Sequence, residues 1–156
     1  AGMNRLKVVP VKMAKDAVDN AAFVAKLSKR ECVTEDLRIH GWRDKKDADA
    51  GLAIYGADAE GIRVLIRERP EWATAIHARC AFTFAEVAWA VRKEMAMTVE
   101  DVLARRVRLL FLDAAAAMEA APGVARLMAA ELGRDEAWVR AQVSAFQELA
   151  SGYLLQ

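Results

Sequence analysis

The second half of this chain is punctuated for helices at almost every boundary, and that punctuation restricts it to an all-α fold. Thr83-Phe84-Ala85-Glu86 has the form of a capping box. In that motif the threonine hydroxyl accepts from the third helical amide while the glutamate reaches back to the cap amide. It opens a helix through about Glu94. Thr98-Val99-Glu100-Asp101 supplies a second hydroxyl cap, with two acids in the first turn where the helix dipole favours them. The apolar spacing carries that helix to about Ala120. Pro122 then fits the first turn of the next helix, Gly133 its left-handed end, and Asp135 the cap of the last. Alanine, the strongest helix former, occurs 33 times in 156 residues and proline only 3 times.

The first half is less regular. Met13, Ala17, Ala21 and Val24 recur at helical spacing after Pro10, which predicts a helix near 11–28. Lys29 to Lys46 is polar, and the alternation Leu37-Arg38-Ile39-His40 suggests a short extended segment around residues 32–40. Asp47 or Asp49 can cap a brief helix that ends at Tyr55-Gly56, with Gly56 left-handed. Ala57 to Arg67 carries Ile62, Leu65 and Ile66 on one face and must stop before Pro70. Trp72, Ala75 and Ile76 allow a further helical turn. The expected architecture is a small multi-helix bundle.

Composition narrows the function classes. With 55% hydrophobic and 29% charged residues the chain has enough apolar material for a core. A net charge of +1 gives no electrostatic case for nucleic acid or an anionic membrane surface. Two cysteines, Cys32 and Cys80, cannot build a disulfide framework, so reduced thiols and a cytoplasmic setting are expected. No apolar run approaches the roughly 18 residues of a membrane span. Ala1-Gly2-Met3 reads as a cloning scar, and residues 1–10 as scar or linker.

Catalytic constellations are sparse. His77 and Cys80 stand at i, i+3, but a metal would need further ligands that have no suitable spacing. Ser28, Ser144 and Ser151 lie outside any nucleophile elbow. Gly51, Gly56 and Gly61 recur every five residues, which is neither the dinucleotide nor the P-loop spacing. No catalytic, cofactor-binding or metal-binding residue is assigned. The most conspicuous charge feature is Arg105-Arg106-Val107-Arg108, with Glu100 and Asp101 one turn upstream; Asp101 and Arg105 form an i, i+4 pair. Val99, Leu103, Arg106 and Leu110 share a stripe, so Arg106 lies on an apolar face and is expected to meet Glu94 of the preceding helix in a largely buried ion pair, with Glu86 the alternative acid. Glu86, Glu94, Asp101, Arg105, Arg106 and Arg108 are therefore read as a structural ion-pair network.

The order of residues carries a more specific signal. Ala85-Glu86-Val87, Ala90-Val91-Arg92-Lys93-Glu94 and Thr98 through Arg108 are followed by Phe111-Leu112-Asp113, Ala121-Pro122 and Met128-Ala129-Ala130-Glu131-Leu132-Gly133. Upstream come Met13-Ala14-Lys15-Asp16-Ala17-Val18-Asp19, Cys32-Val33-Thr34, Leu37, His40-Gly41 and Tyr55-Gly56. This sequence resembles the C-terminal helical domain of FAD-dependent glycerol-3-phosphate dehydrogenases and the related glycerophosphate oxidases. The resemblance implies a segment at 11–40 corresponding to the end of the flavin domain and its connection, and a helical domain at 41–156. It implies a parent that oxidises sn-glycerol 3-phosphate to dihydroxyacetone phosphate on FAD and passes electrons to quinone, peripheral at the cytoplasmic face of the bacterial inner membrane. The family's Gly, Thr, Tyr and Arg residues near flavin have no counterpart in Arg5-Leu6-Lys7-Val8-Val9-Pro10-Val11, where Val11 aligns with the arginine. No flavin-contacting residue carries over. The chain is thus expected to be non-catalytic, its partner the flavin-binding catalytic domain, with self-association through an apolar face involving Met13, Val18, Phe23 or Val24. A free-standing helical interaction module is the alternative, favoured by the Val9-Pro10-Val11 departure.

Overall fold

The computed structural model describes residues 5–28, 30–33, 37–38, 41–42 and 51–154. The chain divides into two units, Ala1–Trp42 and Arg43–Gln156. The first contains helix α1, Arg5–Val24. It begins ahead of Pro10 rather than after it, so much of the segment read as scar or linker is helical. It stops at Val24 because Lys26 turns left-handed, at φ 57°. The Leu27 amide then bonds the Ala22 carbonyl at 2.9 Å and the Lys26 amide the Phe23 carbonyl at 3.1 Å, a Schellman closure. Met13, Val18, Phe23 and Val24 are all exposed, Phe23 by 82%. Residues 30–33 and 37–38 carry no regular secondary structure. The rest of the extended segment expected around 32–40, and the Asp47 and Asp49 caps, lie outside the described residues.

The second unit is helical, with one isolated antiparallel bridge between Ala75 and Thr83 and no strand among the described residues. A 3-10 turn at Ala53–Asp58 contains Gly56 at φ 57° and leads into α2, Ala59–Glu68. A second 3-10 turn, Pro70–Ala73, buries Trp72. The helical turn allowed at Ile76 does not form. Instead Ile76 bonds the Phe82 carbonyl at 2.8 Å, making a short loop that returns to Thr83. The capping box at Thr83 and Glu86 is present and opens α3, Phe84–Lys93, with Glu94 at its end.

The single helix expected from Thr98 to Ala120 is broken twice. Residues Asp101–Arg106 are wound as a π-helix, and the Val107 amide reaches the Val102 carbonyl at 3.0 Å. Arg108 is left-handed at φ 57°, and a short helix α4, Leu109–Leu112, follows. Asp113 then caps α5, Ala114–Leu132, by accepting from the Ala116 amide at 2.9 Å. Val99, Val102, Leu103, Val107, Leu109 and Leu110 are all buried across the breaks. Because α5 starts at Ala114, Pro122 falls inside it instead of in a first turn. Gly133 at φ 63° ends α5, and Asp135 caps α6, Glu136–Ser151.

Small residues set the spacing. Ala116, Ala117, Ala120, Ala121 and Ala125 of α5 are buried with Val124 and Met128 in the main core, which α3, residues 99–110 and α6 complete. A smaller core joins Leu52, Ala59, Ile62, Leu65 and Trp72 to Ala85 and Ala88 of α3. Gly61 lies where α2 meets α3: a Cβ there would stand 2.3 Å from the Trp89 ring. Any side chain at Gly61 would have to displace that indole.

Candidate functional site

Polar groups of the second unit gather at both ends of α3. Glu86 sits in the first turn of that helix, only 2% exposed. Its Oε2 accepts from the Thr83 amide at 2.7 Å and the Thr83 hydroxyl at 3.0 Å. Burial and the nearby Glu86 and Glu94 charges push the Tyr55 pKa far above the ordinary phenol value. Tyr55 therefore stays a hydrogen-bond donor over the whole physiological range. Glu86 is thereby committed to the cap, not to Arg106.

Arg106 instead reaches Glu94, its Nε 3.7 Å from Oε2, while Nη2 donates to the Glu94 backbone carbonyl. The side chains are 27% and 31% exposed, so the pair is half-buried and not the largely buried pair expected from helical phase. The reason is the broken helix: the winding from 101 to 108 leaves Arg106 at the margin of the core. Burial raises the Glu94 pKa; the Arg106 charge opposes this, Asp58 adds to it, and a Trp89 hydrogen bond opposes it, with a net upward result. Arg105 meets Asp101 Oδ1 at 2.5 Å and Glu100 Oε1 at 2.6 Å. Asp101 also accepts from the Met97 and Thr98 amides at 3.0 Å each. Burial raises the Asp101 pKa, but these bonds outweigh it and hold the carboxyl below its ordinary range. Arg108, grouped with the others by sequence, is exposed and pairs with no carboxylate among the described residues. Its left-handed turn takes it off the helix that would have aligned it.

Several bridges join residues far apart in the chain. His77 Nε2 lies 2.9 Å from Glu119 Oε2, and Arg79 reaches Asp113 at 3.4 Å and Glu119 at 3.5 Å. They tie the 74–83 loop to α5. Arg92 forks onto Glu131 at 2.5 and 2.9 Å, and Gln142 accepts from the Val99 amide at 3.1 Å. Cys80 Sγ sits 3.5 Å from the His77 carbonyl. Among the described residues no three His, Cys, Asp or Glu side chains are arranged to hold a metal ion.

Two glycines mark close packing: Trp89 fills the space beside Gly61, and Phe84 lies 3.2 Å from a Cβ at Gly123. Gly133, a left-handed helix end, has open space around it. Among the described residues no helix is long and apolar enough to cross a membrane.

Comparison with known proteins agrees with the residue order. The family model for the C-terminal domain of alpha-glycerophosphate oxidase matches residues 32–139. A probable mitochondrial glycerol-3-phosphate dehydrogenase of Caenorhabditis elegans is 34% identical over 152 residues, covering 84% of this chain and 21% of that protein. The mitochondrial glycerol-3-phosphate dehydrogenase of Mesocricetus auratus is 30% identical, over 91% of this chain and 22% of its own length. That of Arabidopsis thaliana, SDP6, is 31% identical, over 76% and 24%. The chain thus spans between a fifth and a quarter of the length of these relatives. No solved structure matches it significantly. The matched span covers α2 to α5 and the connections between them, so the chain belongs to the family of C-terminal domains of alpha-glycerophosphate oxidase.

Proposed function

We propose that this chain serves as the non-catalytic helical domain of an FAD-dependent enzyme that oxidises sn-glycerol 3-phosphate to dihydroxyacetone phosphate and delivers electrons through FAD to quinone. The family match over residues 32–139 carries this reading. The internal use of polar groups supports it: Arg79, Arg92 and Arg106 each pair with a carboxylate of another element. Catalysis belongs to the flavin-binding part, and this domain packs against it. The exposed apolar residues Met13, Val18, Phe23 and Val24 of α1 are the proposed docking face. In the isolated chain the same face would drive self-association. A cytoplasmic, membrane-peripheral setting goes with this reading of the parent; the mitochondrial names belong to the relatives.

A domain exchange tests the proposal. Residues 12–156 replace the corresponding domain of a glycerol-3-phosphate dehydrogenase relative. The chimera should retain FAD and oxidise glycerol 3-phosphate, and Val18→Asp with Phe23→Asp in it should cause the flavin to be lost. A soluble chimera without flavin or turnover would overturn the reading, as would an unaffected double variant.

A further inference from the structure

Helix α4 is apolar all the way round. Its four residues, Leu109-Leu110-Phe111-Leu112, make little more than one turn, so at 100° per residue they are spread around the whole circumference. Leu109 and Leu110 are 2% exposed and belong to the main core. Phe111 and Leu112 are 54% and 74% exposed. A helix that is apolar on all sides is the pattern of one buried on all sides, and only half of this one is covered. The turn after α6 extends the same patch. The Tyr153 ring stands edge-on to Phe111, with centroids 5.6 Å apart and planes at 75°, and Leu154 beside it is also exposed. Phe111, Leu112, Ala114, Ala115, Tyr153 and Leu154 line an open groove of about 460 Å³.

The charges next to the groove are unequal. Asp113 is used within the fold: it accepts from the Ala116 amide and pairs with Arg79 at 3.4 Å. Arg108, at the start of α4, is exposed and pairs with no carboxylate among the described residues. It also stands at φ 57°, where glycine sits without strain and a side chain does not. A strained, unpaired arginine beside two exposed apolar side chains fits a surface that is completed from outside this domain.

The flavin-binding part of the same enzyme is the occupant that the observations favour. The chain spans 21 to 24% of the relatives it matches, so more than three quarters of each relative lies outside the matched segment. Helix α4 falls inside the span matched by the family, residues 32–139. An anionic bilayer draws clusters of about four or more cations, whereas this patch offers one unpaired guanidinium. A second copy of the patch would present Asp113, an acid already used by Arg79. We propose that α4 and the turn after α6 form a second docking surface, on which Phe111 and Leu112 are the apolar anchors for the flavin-binding part and Arg108 pairs with a carboxylate of that part. This rests on the reading of the chain as one domain of that enzyme, and it gives the second unit a docking surface of its own.

The test is hydroxyl-radical footprinting, read by mass spectrometry, on the isolated 156-residue chain and on the chimera described above. The isolated chain is also measured over a concentration series and with phosphatidylglycerol vesicles. Oxidation of Phe111, Leu112 and Tyr153 should be about fivefold slower in the chimera, because side chains at the centre of an interface are fully buried. Arg108→Glu should restore most of that oxidation in the chimera by opposing two like charges, and should leave thermal unfolding of the isolated chain unchanged. Equal oxidation of Phe111 and Leu112 in the two forms, in a chimera that holds FAD, would overturn this surface while the proposed function stands. An Arg108→Glu chimera as well protected as its parent would overturn it too. So would protection of the isolated chain that grows with its concentration, which assigns the patch to a second copy, or that needs the vesicles, which assigns it to a bilayer. A chimera without FAD overturns the proposed function, and this surface with it.

Discussion

Truncating Met128 to alanine is expected to lower the unfolding free energy by about 2–5 kcal/mol. Met128 is fully buried in the main core. Its neighbours along α5 are Val124, Ala125 and Ala129, all buried and too short to fill the space left behind. The vacated volume should therefore persist as a cavity, so the transfer loss and the cavity term add. Urea denaturation at constant m-value measures this, since an unchanged slope shows that the same surface unfolds. A loss below about 1 kcal/mol would mean that the site collapses. The small side chains of α5 would then not be holding a rigid spacing.

The second large effect is expected at Glu86. Glu86→Ala removes the acceptor for the Thr83 amide and the Thr83 hydroxyl at a site that is 2% exposed. Loss of the cap together with donors left without an acceptor should cost about 3 kcal/mol. Glu86→Gln keeps a carbonyl oxygen in the same place and should cost about 1 kcal/mol. Thermal unfolding of the two variants side by side distinguishes acceptor from charge. If glutamine is as damaging as alanine, the negative charge itself is what the site requires.

What the sequence makes legible is local. The caps at Thr83, Thr98 and Asp135 and the stop at Gly133 are each decided within a few residues, because the partners of a cap lie one turn away. The Glu94–Arg106 contact is legible for a related reason: both residues flank a connection of a few residues, which makes the two elements neighbours. Its degree of burial is not legible, because nothing between Val99 and Leu112 announces that the helix will break. Asp113 is the available signal, an acid placed directly before four alanines, and it is the residue that caps α5. The bridges from His77 to Glu119 and from Arg92 to Glu131 span about forty residues. Nothing local to these residues says which distant helices lie side by side, so neither pair can be found in the sequence. The closeness of Tyr55 to the Glu86 charge is hidden in the same way, since it relates the 3-10 turn to the first turn of α3.

The central claim is that the oxidation belongs to the flavin-binding part of the enzyme and that this chain contributes structure. The most direct measurement is a visible absorbance spectrum of the purified chain after incubation with FAD and desalting, followed by a glycerol 3-phosphate oxidation assay with a quinone acceptor. The account predicts a colourless protein without the flavin band at about 450 nm, a property of the cofactor itself, and no oxidation above background. A yellow protein that retains stoichiometric FAD, or turnover of glycerol 3-phosphate by this chain alone, would contradict it.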